Sequence, residues 1–131
     1  MGGIGKVPPL RIPQKTQFLF SPIAGSSAKA FDIKIIYNNR HPLPLSLSLA
    51  TSLIATFFSF SELISTSTSR VISLHLALTP STERILGFAE FERMKQGVTI
   101  VNTERGDLID EEAMIRALEG GKVWSVGLEC F

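Results

Sequence analysis

Glu104, Arg105 and Asp107 stand directly after the apolar run VTIVN, residues 98–102, in a sparsely charged chain. Such a run reads as a buried strand, and ligands of open α/β sheets sit beyond the carboxyl ends of the strands. A guanidinium placed there offers a rigid fork of donors that suits a carboxylate. Three other predicted strand ends also carry polar groups: Asn38, Asn39 and Arg40; His75 and Thr79; and Glu129. A lone histidine in such a place is more often structural than catalytic, and Arg40 alone reads equally well as solvated. Four polar ends on one edge argue for a site.

The elements that would position these residues are clearest beyond residue 70. VISLH (residues 71–75) reads as a strand, TPST as a turn, and ERILGFAEFERMKQG as one or two helical stretches broken at Gly87 and stopped at Gly97. VTIVN is the next strand. Asp110 caps a helix, EEAMIRALEGG, with Glu111 and Glu112 in its first turn and Gly120 and Gly121 at its end. Its apolar face takes Ala113, Ile115 or Met114, Ala117 and Leu118. VWSVGL is a third strand. Fully apolar strands alternating with helices mean parallel βαβ units, hence an α/β fold. Upstream, residues 33–37 form one good strand, while four prolines between Lys6 and Ala28 forbid a continuous helix.

At 131 residues the chain makes one domain, and 44% hydrophobic with 19% charged residues is a globular composition. A net charge of +1 without basic clustering argues against nucleic acid and against an anionic membrane surface. One cysteine, Cys130, excludes an internal disulfide framework and a cysteine-based metal site; no metal is expected. The amino terminus lacks a secretory apolar region, so a cytoplasmic location is expected. Residues 42–61 are uncharged but carry seven Ser or Thr, short of the ~20 predominantly apolar residues of a spanning helix; they read as a connector containing one short strand.

The opening MGGIG supplies the last two glycines of a G-x-G-x-x-G pattern, the loop that brings backbone N–H groups to a pyrophosphate. With no strand before it and prolines after it, this stretch alone reads as a glycine-rich tail.

Taken together, VISLHLALTPSTERIL, FERMKQGVTIVNTERGDLIDEEAMIRALEGGKV and VGLECF resemble the second half of the nucleotide-binding domain of D-isomer-specific 2-hydroxyacid dehydrogenases, in particular the fungal glyoxylate and hydroxyacid reductase type. MGGIGK and AKAFDIKIIYNNR resemble the family's glycine loop and second strand. The resemblance implies a doubly wound parallel sheet of Rossmann type, NAD(P) as cofactor and a small 2-oxo or 2-hydroxy acid as substrate. Arg105 would bind the substrate carboxylate and polarise its carbonyl. Gly2, Gly3, Ile4 and Gly5 would hold the pyrophosphate, and Arg40 would meet the adenosine ribose, favouring NADP over NAD. Leu76, Ala77, Thr79 and Thr103 would line the nicotinamide-ribose side. Glu129 stands near the carboxamide where the family usually has Asp, and Glu104, near the cofactor, replaces a usually small residue. The family's dimer surface makes a second copy a candidate partner.

The resemblance also marks gaps. The family's histidine acid and its glutamate would lie beyond Phe131, and the first, central strand would precede Met1. The expectation is therefore an incomplete sheet lacking its first strand and a chain inactive alone. Residues 1–70 would form a degenerate first half and residues 71–131 the second half. Residues 7–27 and 68–70 look unlike family sequence, as a mis-spliced product would. The rival readings are a dinucleotide-binding module without chemistry and a nonfunctional fragment.

Overall fold

The structure, a computed structural model, describes residues 15–19 (as a strand), 34–39, 56–65 and 71–129. Its strands are β1 (Lys15–Leu19), β2 (Lys34–Tyr37), β3 (Thr56–Phe57), β4 (Val71–Leu74), β5 (Val98–Asn102) and β6 (Val123–Leu128). Between them lie helices α1 (Phe60–Ser65), α2 (Phe88–Arg93) and α3 (Glu111–Glu119), and a 3₁₀ turn at Gly106–Leu108. The strands form one parallel sheet in the order β3-β2-β1-β4-β5-β6. This is the doubly wound order with its central position filled.

The α/β reading holds, but the expected gap does not. β1 pairs with β2 through Lys15–Lys34 to Phe18–Tyr37 and with β4 through Thr16–Val71 to Leu19–Leu74. Pro13 and Pro22 bracket this stretch without entering it, so every residue of β1 keeps the N–H that a central strand must donate. Prolines that forbid a helix left room for a five-residue strand. In chain order, MGGIG therefore precedes the central strand, and residues 1–14 lie outside the described ones.

Register brings the carboxyl ends level. Leu74 pairs with Asn102, and Asn102 with Leu128. His75, Thr103 and Glu129 therefore leave the sheet side by side. On β2, the next residue after Tyr37 is Asn38, whose Nδ2 donates to the Phe58 carbonyl at 2.8 Å and ties the end of β2 to the segment after β3.

Alternation along β5 sends Val98, Ile100 and Asn102 into full burial and leaves Thr99 and Val101 half-buried. Val98 and Ile100 join Ile72, Leu74, Leu63, Ile64, Phe91, Met94, Ala113, Met114 and Ala117 in one core. α1 opens with a capping box: the Glu62 carboxylate accepts from Ser59 N at 3.0 Å, while Ser59 Oγ accepts from Glu62 N at 3.3 Å. Bonding to the Ser59 hydroxyl, and then to its backbone N–H, lowers the Glu62 pKa. α3 opens as expected, with Asp110 Oδ1 accepting from Ala113 N at 3.0 Å.

Three local expectations change. In the stretch 83–97 only α2 is helical, because Arg84 N donates to the Asp107 carbonyl at 2.7 Å and Leu86 bridges Ile109 in parallel, which draws residues 84–86 into extended pairing. α2 ends at Arg93, and Gly97, with φ +80°, turns the chain into β5 instead of stopping a helix. On α3 it is Met114 that is buried, while Ile115 and Leu118 stay exposed, because α3 faces α2 and β6 through its Ala113–Met114–Ala117 side. No helix among the described residues is long and apolar enough to cross a membrane.

Gln17 of β1 pairs with Ile36 on one side and Ile72 on the other, so Gln17→Pro removes an N–H donor from the middle of the sheet and should cost roughly 3 kcal/mol or more. Urea denaturation should show loss of the cooperative transition or a large drop in its midpoint. An unchanged midpoint would mean β1 is not part of the sheet.

Candidate functional site

The described part of the site is an edge, built from three loops that leave β4, β5 and β6 at one level. Asn102, last residue of β5, is fully buried. Its Oδ1 accepts from Glu104 N at 3.1 Å and its Nδ2 donates to the Arg105 carbonyl at 2.7 Å. Its own carbonyl accepts from Glu129 N at 3.2 Å. Leu108 N also donates to the Arg105 carbonyl, at 3.2 Å, so that oxygen takes two donors while the Arg105 backbone is extended. The side chain is exposed, and no described carboxylate lies within 4.0 Å of its guanidinium.

On the β4 side, the loop carrying Leu76, Ala77 and Thr79 is organised by Thr82. Thr82 Oγ1 donates to the Ala77 carbonyl at 2.7 Å and accepts from Thr79 N at 2.8 Å. Ala77 and Thr79 are exposed and Leu76 half-buried against the core. Thr103 and Glu129 are exposed at the same edge.

His75 sits between the β4 and β5 loops. Its Nε2 lies 2.8 Å from Ser73 Oγ, and its Nδ1 lies 3.9 Å from Glu104 Oε1. The second separation is an electrostatic contact, too long for a hydrogen bond. Through it the Glu104 side chain reaches towards the neighbouring loop. Burial lowers the His75 pKa, and the nearby Glu104 charge offsets this only in part. His75 is therefore mainly neutral at pH 7 and faces inward, a structural role.

A cavity of about 440 Å³ opens on the α3 side of the Arg105 loop, lined by Arg84, Asp107, Asp110, Met114 and Leu128 among others. None of the sequence-predicted site residues lines it. Asp110 is occupied as the cap of α3, and Asp107 holds Arg84 through its backbone. Gly2, Gly3, Ile4, Gly5 and Arg40 lie outside the described residues. The structure thus gathers Leu76, Ala77, Thr79, Thr103, Glu104, Arg105 and Glu129 at one edge. Sequence reasoning overlooked Asn102 and Thr82. The signal was present in both cases, since Asn at a strand end and Thr after a proline turn bond their own neighbouring backbone. Among the described residues, no group of three or more His, Cys, Asp or Glu could hold a metal.

Residues 23–131 match the model of the D-isomer-specific 2-hydroxyacid dehydrogenase NAD-binding domain. The chain belongs to that family. Relatives within the 2-hydroxyacid dehydrogenases include 4-methyl-2-oxopentanoate reductase A of Aspergillus oryzae, 50% identical over 104 residues that make up 79% of this chain and 30% of that protein. D-lactate dehydrogenase of Escherichia coli is 40% identical over 103 residues, 79% of this chain and 30% of that protein. Among solved structures, a glyoxylate reductase from Paecilomyes thermophila superposes with a TM-score of 0.80 at 45% identity, over 90% of this chain and 35% of that one. The chain thus spans about a third of the length of the relatives it matches.

Two measurements test these loops. Thr82→Val removes both hydroxyl bonds from a partly exposed turn and should cost about 1 kcal/mol in urea denaturation. For His75, the unfolded chain takes up a proton near the ordinary imidazole pKa of about 6.5, whereas the folded chain does so only at lower pH. Its contribution is then fully present above pH ~6.5 and lost as pH falls through the folded value. The melting temperature should drop between pH ~7.5 and ~5.5, and His75→Gln should flatten part of that slope. An identical slope in the variant would assign the drop to other groups.

Proposed function

We propose that the chain supplies the cofactor-binding part of an oxidoreductase that interconverts 2-oxo and 2-hydroxy acids, glyoxylate being a representative substrate. The observation that carries this reading is the Arg105 guanidinium, unpaired among the described residues, beyond a strand end and on a backbone whose carbonyl accepts two hydrogen bonds. A cation left without a carboxylate on a rigid support is ready for an anionic ligand. It forks two donors onto a carboxylate and stabilises charge appearing on an adjacent carbonyl oxygen.

The donor set suits a nicotinamide dinucleotide. Thr79 and Thr103 offer exposed hydroxyls and Glu129 an exposed carboxylate, which accept from ribose hydroxyls and a carboxamide. A bound nicotinamide supplies the hydride. This chain's residues orient it: Thr82 fixes the loop on one side, Asn102 the loop on the other, and Glu104 stays beside His75. Arg105 aligns the acid. His75, held inward by Ser73, is not the proton donor in this reading.

The finer assignments are part of the same proposal. Arg40, basic where an acidic residue would select NAD, favours a 2′-phosphate and hence NADP. Gly2, Gly3, Ile4 and Gly5 are assigned to the pyrophosphate from the resemblance of MGGIGK to the family's glycine loop. A second copy of the chain is the expected protein partner.

A thermal melt with and without millimolar NADPH and NADH tests the reading. A ligand that binds only the folded state raises stability by about 2.7 kcal/mol at a hundredfold excess over Kd, and NADPH should give the larger shift. Arg105→Ala should keep the nucleotide shift and lose the additional shift produced by oxamate, an isostere of a small 2-oxo acid. No shift with either nucleotide would refute the proposal.

A further inference from the structure

We propose that Asn102 is a positioning residue for the reaction, fixing where the Arg105 guanidinium meets the carboxylate of a 2-oxo acid. This rests on the reading of Arg105 given above. Asn102 is fully buried at the end of β5, and one side chain makes contact with two successive site positions: it accepts from Glu104 N at 3.1 Å and donates to the Arg105 carbonyl at 2.7 Å. Its backbone carbonyl receives the N–H of Glu129, the next strand's first residue beyond the sheet. Three candidate contact residues from two loops are thus referenced to one residue, Glu104 and Arg105 through its side-chain amide and Glu129 through its backbone.

The chemistry requires asparagine at that point. A buried polar side chain is costly unless satisfied, and here one partner needs an acceptor and the other a donor. An amide has both on one planar group. Aspartate has two acceptors when ionised, so one would face the Arg105 carbonyl. Alanine has neither. The guanidinium has no described ion pair to hold it, so its aim depends on the backbone from which it springs. A displacement of about 1 Å in a substrate-positioning group can cost ~10²-fold.

Protonated aspartic acid restores the asparagine pattern, one O–H donor beside one carbonyl acceptor, and burial raises its pKa. Asn102→Asp is therefore a variant whose defect should depend on pH. The charged or titratable groups on the loops that leave these strands are His75, Glu83 and Arg84 after β4, Glu104, Arg105, Asp107 and Asp110 after β5, and Glu129 after β6. The unmodified chain at each pH corrects for their titration.

The experiment measures oxamate affinity in the presence of saturating NADPH, and NADPH affinity separately, for the unmodified full chain, Asn102→Ala and Asn102→Asp between pH ~5.5 and ~8. At pH ~7.5 both variants should lose oxamate affinity by about tenfold or more while binding NADPH within about twofold of the unmodified chain. Asn102→Asp should regain oxamate affinity as pH falls, and Asn102→Ala should not. A purely structural role would weaken both ligands together and show no selective recovery. If the unmodified chain binds oxamate and either variant matches it at pH ~7.5, Asn102 has no positioning role, although the function proposed for Arg105 stands. If the unmodified chain binds NADPH without oxamate, the reading of Arg105 fails and this inference with it. Should Asn102→Ala not fold, Asn102→Asp on its own supports or overturns the inference through its pH profile.

Discussion

The backbone ladder joining β5 to β4 on one side and β6 on the other sets the position of everything functional in this chain. It pairs Leu74, Asn102 and Leu128 across three parallel strands. Parallel pairing means that all three chains leave the sheet in one direction at one level. Residues 75–79, 103–105 and 129, far apart in the chain, therefore share an edge without any contact among themselves having to create it. Hydrophobic burial holds that ladder in register: Ile72, Leu74, Val98, Ile100 and Val123 face the layer of Phe91, Met94, Ala113, Met114 and Ala117. A slip of one residue would send each buried side chain to the opposite face, a cost no loop contact could offset.

On that base the loops are stiffened by short polar links, not by packing. Thr82 closes the turn after β4, Asn102 closes the turn after β5, and residues 84–86 pair with residues 107–110 to brace the far side of the Arg105 loop. Arg84 adopts φ 51°, uncommon for a residue with a Cβ, and its N–H bond to Asp107 is one of those braces. The result is a support tied at several points beneath a side chain that is unpaired among the described residues. Such preorganisation is what electrostatic stabilisation of a developing charge requires.

The two acidic residues at this edge are placed differently. Glu104 extends towards half-buried His75, so its side chain lies between two loops of the same protein. Glu129 gives its N–H to the Asn102 carbonyl and leaves its carboxylate exposed.

How much of this was legible follows the range of the forces involved. β5 and β6 were read to the residue from apolar, β-branched runs, and the start of α3 from Asp110, because strand propensity and capping act within a few residues. The placement of Arg105 at a strand end followed from the same local signals, and the motifs around it were specific enough to suggest the family. The central strand was not legible: Lys15–Leu19 carries no distinctive pattern, and its place depends on pairing with β2 and β4, both distant in sequence. Nor could periodicity tell Met114 from Ile115, since both lie near the same helical face until α2 and β6 select one. The amino-acid sequence by itself determined the local elements and which side chains end them. Tertiary structure alone decided which strand fills the centre, and that Glu104 turns to His75, because those outcomes rest on pairings that no short stretch of chain contains.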